Sequence, residues 1–337
     1  MQEDSRSKGS VLNKALSVLR RFWGMHESGI IVIVVLYVTF VQFMNPVFLS
    51  STNVNNFLRQ ACYILIPAIG MTLVIISGGL DLSVGSVMAV SGMFAGFSMT
   101  TFGLPIIVSI GVGLATGILV GLLNGSIIVR FTVPPMIITL GMMYIARGIS
   151  LVSTRGAAIY PLPAAFQALE QGRIFGLPAV VPFTFVVCVI FHIILTQTTF
   201  GRSVYAIGGN RETAKLSGIR VKRISLMTYA ICGMMAALAG LVISSRLGSA
   251  QPNTGMGHEL QVIAACIIGG TSTYGGRGTI LGTAIGALFI SILTNSMTLM
   301  RVNVNFQMLV TGIILVFAVI LDQYKREVAQ KRAVKSA

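Results

Sequence analysis

Asp81 is the only carboxylate between Glu27 and Glu170, and it stands between two apolar segments in Gly78-Gly79-Leu80-Asp81-Leu82-Ser83-Val84-Gly85. A carboxylate at membrane depth is costly unless it is paired or hydrated, so Asp81, with Gly78, Gly79, Ser83 and Gly85 around it, is a candidate for gating or for contact with a cargo. It has a structural role open to it as well, because a carboxylate accepts hydrogen bonds from the free N–H groups at a helix start and could cap the apolar run that follows. The other segment with chemical content is Gly208-Gly209-Asn210-Arg211-Glu212-Thr213-Ala214-Lys215-Leu216-Ser217-Gly218, a polar and basic stretch in a largely apolar chain. Asn210 is a good N-cap and Gly218 a good C-terminal stop. The residues between them make about two turns. So short a helix is marginal in water and must be held by docking onto something. Arg211, Lys215, Arg220, Lys222 and Arg223 offer charge to a partner or to anionic lipid.

Chemistry of other kinds finds no residues. No paired carboxylates flank a cleft candidate, and a Gly-x-Ser-x-Gly elbow and the Walker phosphate loop are absent from the sequence. His258-Glu259 begins a zinc-type pattern, but Val262 occupies the place of the second histidine, so no metal is expected. The four cysteines, Cys62, Cys188, Cys232 and Cys266, are far apart in apolar runs and read as small buried hydrophobes.

The surrounding elements must cross a lipid bilayer. The chain is 54% hydrophobic and only 10% charged, against about 25% charged residues in a soluble domain. Apolar runs near twenty residues suit a hydrocarbon core about 30 Å thick. We place ten spans at roughly 30–48, 61–77, 84–102, 105–129, 133–152, 178–197, 226–246, 260–272, 279–298 and 303–321. This is an all-α polytopic membrane protein: a cytoplasmic N-terminal tail (1–29), one transmembrane domain (30–322) and a basic C-terminal tail (323–337). The polar lead lacks the form of a cleaved signal peptide and is expected to persist.

The net charge of +15 does not point to nucleic acid. Sixteen of the 24 basic residues lie before the first run, between Arg202 and Arg223, or after Asp322. Six spans precede the central cluster and four follow it, so all three clusters fall on one face. Basic residues in short loops mark that face as cytoplasmic, with both termini.

Glycine and proline shape the spans. Gly113, Gly117, Gly121 and Gly125 form one ladder, and Gly278, Gly282 and Gly286 a second; such faces let backbones approach closely inside lipid. Pro134-Pro135 opens the fifth span. Pro67 inside the second span is expected to break it, beside the pathway. Gly78-Gly79 with Gly85, and Gly269-Gly270 with Gly276, share one offset and suggest a parallel repeat.

Several segments together resemble the permease subunit of the ribose/xylose-type monosaccharide ABC importers, over about residues 30–322. They are Ser77–Gly85; Pro134-Pro135-Met136-Ile137-Ile138-Thr139-Leu140-Gly141; Gly201-Arg202 with Ala206–Asn210; and Glu259-Leu260 through Ile268-Gly269-Gly270-Thr271-Ser272 to Gly275-Gly276. Glu212-Thr213-Ala214, three residues and Gly218 is similar to the coupling motif E-A-A-x-x-x-G of ABC importer permeases. Thr213 replaces its first alanine, Met136 a common phenylalanine and Gln261 a common acidic residue.

The resemblance implies a coupling loop at about 198–225, centred on Gly209, Asn210, Arg211, Glu212, Ala214 and Gly218. There a cytoplasmic ABC ATPase would grip the chain, and ATP and Mg would be used by that partner alone. It implies an extracytoplasmic sugar-binding protein above the loops at 153–177 and 247–259, a second permease chain (a homodimer, with a heterodimer with a sister permease left open), and a bacterial inner membrane. Asn124, Asn295, Asn303 and Gln307 are polar candidates along the pathway or in helix packing. Cargo of a nucleoside, amino acid or sugar-derived signal stays open, as does an ion-coupled transporter using Asp81. An intramembrane enzyme lacks clustered acids, histidines or nucleophiles.

Overall fold

The computed structural model describes residues 28–335, with side chains at all of these but Ser28, Leu321 and 325–335. The N-terminal tail expected at 1–29 therefore lies almost wholly outside the described residues. The rest is helical: α1 (Ser28–Met44), α2 (Ser51–Ile76), α3 (Val84–Thr100), α4 (Ile106–Phe131), α5 (Pro135–Thr154), α6 (Ala164–Gln171), α7 (Val180–Gln197), α8 (Thr199–Gly209), α9 (Arg211–Leu216), α10 (Val221–Leu247), α11 (His258–Ile268), α12 (Ile280–Leu299) and α13 (Val304–Lys335). Among the described residues seven helices are long and apolar enough to cross a membrane (α2, α4, α5, α7, α10, α12 and the first part of α13), and α1, α3 and α11 are shorter apolar helices. Each of the ten expected runs overlaps one of these. The chain is an all-α, multi-pass membrane protein.

α2 is the central element. Its apolar window is 83% buried, and it packs against α10, α12, α11 and α7. α4 lies along α10 on the first glycine ladder. A Cβ on Gly117 would come within 2.3 Å of the Gly233 carbonyl oxygen, and one on Gly121 within 2.2 Å of the Tyr229 carbonyl oxygen. The second ladder is shorter than expected. Gly282 and Gly286 lie against the carbonyls of Gly269 and Ala265, but Gly278 precedes α12.

The second span is not broken. α2 runs unbroken through Pro67, and starts ten residues before the apolar run because Ser50 accepts a hydrogen bond from the Asn53 N–H and polar residues form the first turns. Proline inside a helix costs about 3 kcal/mol; close packing by four neighbouring helices is what offsets it here. The interrupted element is residues 248–268. α10 ends at Gly248 in the left-handed region (φ 63°), and the chain is non-helical until α11, which is only 11 residues long.

Four features escape hydropathy altogether. The connection after α5 holds α6 and a two-stranded antiparallel hairpin, Arg173–Ile174 with Leu177–Pro178. α8 occupies the first half of the expected coupling loop. The segment expected as a C-terminal tail continues α13 as helix to Lys335. The two glycine turns close their helices with the same hydrogen bonds, Gly78 N–H to Ile75 and Gly79 N–H to Val74, and Gly270 N–H to Ile267 and Thr271 N–H to Cys266. The left-handed residues are Gly78 and Gly270, so the two turns correspond one position away from the register in the sequence pattern.

Candidate functional site

The loop between α7 and α10 is two short helices. Thr198 caps α8 by accepting from the Gly201 N–H at 3.2 Å. Asn210 ends α8 and begins α9, its Oδ1 accepting from the Thr213 N–H at 3.0 Å. At the other end Gly218 (φ 81°) supplies the left-handed residue. Its N–H donates to Lys215, and the Ile219 N–H donates to Ala214. That pair of bonds is the glycine-terminated helix end, with Ile219 beside Ala214 as its apolar contact. Ala214 is buried against Ile207 and Val221, which requires a small residue at that point of the motif. Arg211, Glu212 and Lys215 are exposed, and Leu216 is 88% exposed. A six-residue helix thus has one face tied to the protein and a charged, leucine-tipped face turned away from it.

The loop touches the transmembrane helices through bare backbone. A Cβ on Gly208 would lie 1.7 Å from the Ile76 carbonyl oxygen and 2.4 Å from the Gly276 nitrogen, whereas Gly209 has open space. Ile76 is the last residue of α2, and its carbonyl accepts from the Gly276 N–H at 2.8 Å. Tyr205 donates its hydroxyl to the Gly278 carbonyl at 2.7 Å. Asp322 of α13 accepts from the Thr273 N–H and hydroxyl. The ends of α2 and α8, Asp322 within α13 and the α11–α12 turn therefore meet at one junction. Gly208 and Gly276 were visible in the sequence, but nothing in it joined them.

Next to the junction lies the Asp81 turn. Asp81 is buried, and its Oδ1 accepts from the Ser83 N–H at 2.9 Å and the Ser83 hydroxyl at 2.6 Å. Asn124 of α4 donates to the Ser83 hydroxyl oxygen at 3.0 Å. Burial pushes the Asp81 carboxyl above its ordinary range, while the Ser83 hydroxyl, the Ser83 amide and Asn124 hold it down. Asp81 closes a turn onto the residue before α3 and does not reach the free N–H groups of the helix itself. Gly79 leaves room for Tyr229, whose hydroxyl would be 2.4 Å from a Cβ there. Gly85 lies against Gly255 and Glu259.

The remaining candidates lie apart. Pro67 is inside α2. Asn295 exchanges two amide hydrogen bonds with Asn53, at 2.9 and 3.1 Å, which joins α12 to α2. Two charged positions were missed. Arg147 lies within α5 and donates from Nη1 to the carbonyls of Pro252 (2.6 Å) and Thr254 (2.9 Å); its signal was a lone cation in an apolar run. Glu170 of α6 is buried, accepts from the Tyr63 hydroxyl at 2.7 Å and lies 3.5 Å from Arg59. Arg246 donates to the same tyrosine oxygen, so this network fastens α6 to α2 and α10.

Comparison with known proteins identifies the family. The family described as branched-chain amino acid transport system / permease component matches residues 53–319. The chain is 39% identical to the ribose import permease protein RbsC of Haemophilus influenzae, over 88% of this chain and 93% of that protein. It is 40% identical to RbsC of Bacillus subtilis, over 88% and 91%, and 34% identical to the L-arabinose ABC transporter permease protein AraH of Azospirillum brasilense, over 92% and 91%. No solved structure matches the chain. A match over most of the sequence, on a fold of packed apolar helices, makes this chain a member of the branched-chain amino acid transport system / permease component family.

Proposed function

We propose that this chain is the permease subunit of an ATP-driven importer that passes a monosaccharide into the cytoplasm. The observation that carries the reading is α9, held by Asn210 and Gly218 while its Arg211, Glu212, Lys215 and Leu216 face outward. A helix this short with an unused charged face is made to be gripped. The relatives named above are ribose and L-arabinose permease proteins, which supports a sugar of that size as cargo.

In this reading the helical runs make ten crossings, with both termini and the α8–α9 loop on the cytoplasmic side of the bacterial inner membrane, in contact with its lipid. Two copies form the pathway. A cytoplasmic ABC ATPase docks on α9 and supplies the ATP and Mg chemistry; no catalytic group is needed from this chain. An extracytoplasmic binding protein delivers the sugar to the end that carries α6 and the hairpin. When the ATPase closes, α9 moves, and Gly208 bears directly on Ile76 and Gly276, so the ends of α2 and α12 move with it. Asp81 is bonded to Ser83 rather than free, which favours a fixed turn over a proton carrier.

Co-purification tests the docking. Wild type is expected to bring its ATPase out of gently solubilised membranes, and Gly218→Glu to lose it while remaining folded, because Glu strains the left-handed position and adds the wrong charge. Retention of the ATPase by Gly218→Glu would remove the loop from the interface.

A further inference from the structure

The non-helical segment between α10 and α11 lies inside the helix bundle rather than over its end. Ala250 lies against Gly96 near the end of α3, where a Cβ on that glycine would come within 3.1 Å of the Ala250 Cβ. Five residues later Gly255 lies against Gly85, in the first turn of α3. Those two points on α3 are about 16 Å apart along its axis. The chain therefore turns back after α10, descends beside α3 and begins α11 deep within the apolar zone. Arg147 meets it there, about 10 Å from the far end of α5, and binds the carbonyls of Pro252 and Thr254. Two of the carbonyls left unpaired by the missing helix are thus satisfied by an intramembrane cation.

The segment has two sides. Pro252 and Gly255 are buried towards the helices, while Gln251 and Asn253 are exposed and Met256 is 75% exposed. The Gln251 amide reaches the neighbouring Ser249 hydroxyl at 3.4 Å. Irregular backbone with amide side chains is not tolerated against lipid at this depth; it occurs where it is buried in protein or lines a water-filled cavity. An arginine inside a span obeys the same rule.

We propose that residues 251–256, braced by Arg147, line the aqueous sugar pathway, and that Gln251 and Asn253 are its polar contacts for the hydroxyl groups of a monosaccharide. An amide both donates and accepts, which matches a sugar hydroxyl. Met256 offers an adaptable apolar surface for the C–H face of the ring. The inference rests on the permease reading, but its test does not need transport.

Asn253→Cys would be made in the full chain, assembled with its ATPase in membranes; the four native cysteines are buried. The probe is a charged, membrane-impermeant maleimide, with a lipid-soluble maleimide as its counterpart. Leu119→Cys is the reference, at a 60% exposed position midway along α4. Thiolate is the reactive form, and each pKa unit that hydrocarbon adds to a thiol lowers it about tenfold. Asn253→Cys is expected to react with the charged reagent at least about tenfold faster than Leu119→Cys. Reaction of Asn253→Cys with only the lipid-soluble reagent would overturn the proposal. So would an Asn253→Cys disulfide between two copies with no reaction towards the charged reagent, which would make the segment a subunit contact. Failure of the permease reading would appear separately, as a wild-type complex without ATP-driven uptake.

Discussion

Helix α9 is six residues long and depends on its two ends, so in the proposed docking its ends set how firmly the ATPase is held. Removing the Asn210 side chain deletes the acceptor of the Thr213 N–H and costs about 1 kcal/mol of helix stability. Replacing Gly218 by Ala forces an L-residue to φ 81°, at about 1–2 kcal/mol. Together they come to about 2.5 kcal/mol, or about a 70-fold loss in the ratio of formed to melted helix. Apparent affinity falls in proportion to the formed fraction. A helix formed most of the time, anchored by buried Ala214, absorbs one such loss and not two. Asn210→Ala alone should weaken ATPase binding by at most about fivefold. The double variant should lose more than the product of the two single effects, and Asn210→Ser should bind as wild type does, since serine restores the cap. The assay is titration of labelled ATPase onto the permease in nanodiscs. A double variant no weaker than either single one, or Asn210→Ser as weak as Asn210→Ala, would refute the argument.

Other expectations concern the junction, the packing and the buried charges. Gly208→Ala should retain the ATPase but lower sugar uptake per ATP hydrolysed by at least about fivefold, the low end of a typical coupling free energy, while Gly209→Ala, with open space at its Cβ, should leave the ratio unchanged. Gly121→Ala should lower the unfolding temperature, because overpacking at the α4–α10 contact costs about 1–3 kcal/mol; Gly111→Ala, facing open space, should not. Glu170→Ala leaves Arg59 and the Tyr63 hydroxyl without their partner and should destabilise by about 3–5 kcal/mol if the pair behaves as fully buried, less because Arg59 is 19% exposed; proteolysis of the α6 segment reports it. The Asp81 carboxyl is raised above its ordinary 3.8 by burial. Its contribution to stability is therefore full below that value and is lost as pH rises through the higher folded value. Thermal unfolding of wild type should weaken relative to Asp81→Asn as pH rises from about 4.

Hydropathy made ten helical runs legible because lipid demands them. It could not place the interruption correctly. A proline is a local signal, and whether a helix survives it depends on neighbours: α2 keeps its course through Pro67 because helices surround it on all sides. The break at 248–257 left a weaker trace, a short apolar run ending in glycines, because its stabilising partner, Arg147, comes a hundred residues earlier. The short helix α9 was readable from Asn210 and Gly218, since caps act within one turn of the chain. Its contact with Ile76 and Gly276 was not, because a glycine chosen for close approach looks the same in sequence as one chosen for a turn. Asp81 shows the same limit: its sequence allowed a cap or a gate, and the structure bonds it to Ser83 two residues on.

The most direct measurement is uptake of labelled pentose into proteoliposomes holding the permease with its ATPase, with binding protein on the sugar side and ATP on the other. The account predicts uptake that needs ATP, stops when either partner is omitted and persists when ion gradients are collapsed. Uptake driven by an ion gradient without ATP, and abolished by Asp81→Asn, would contradict it.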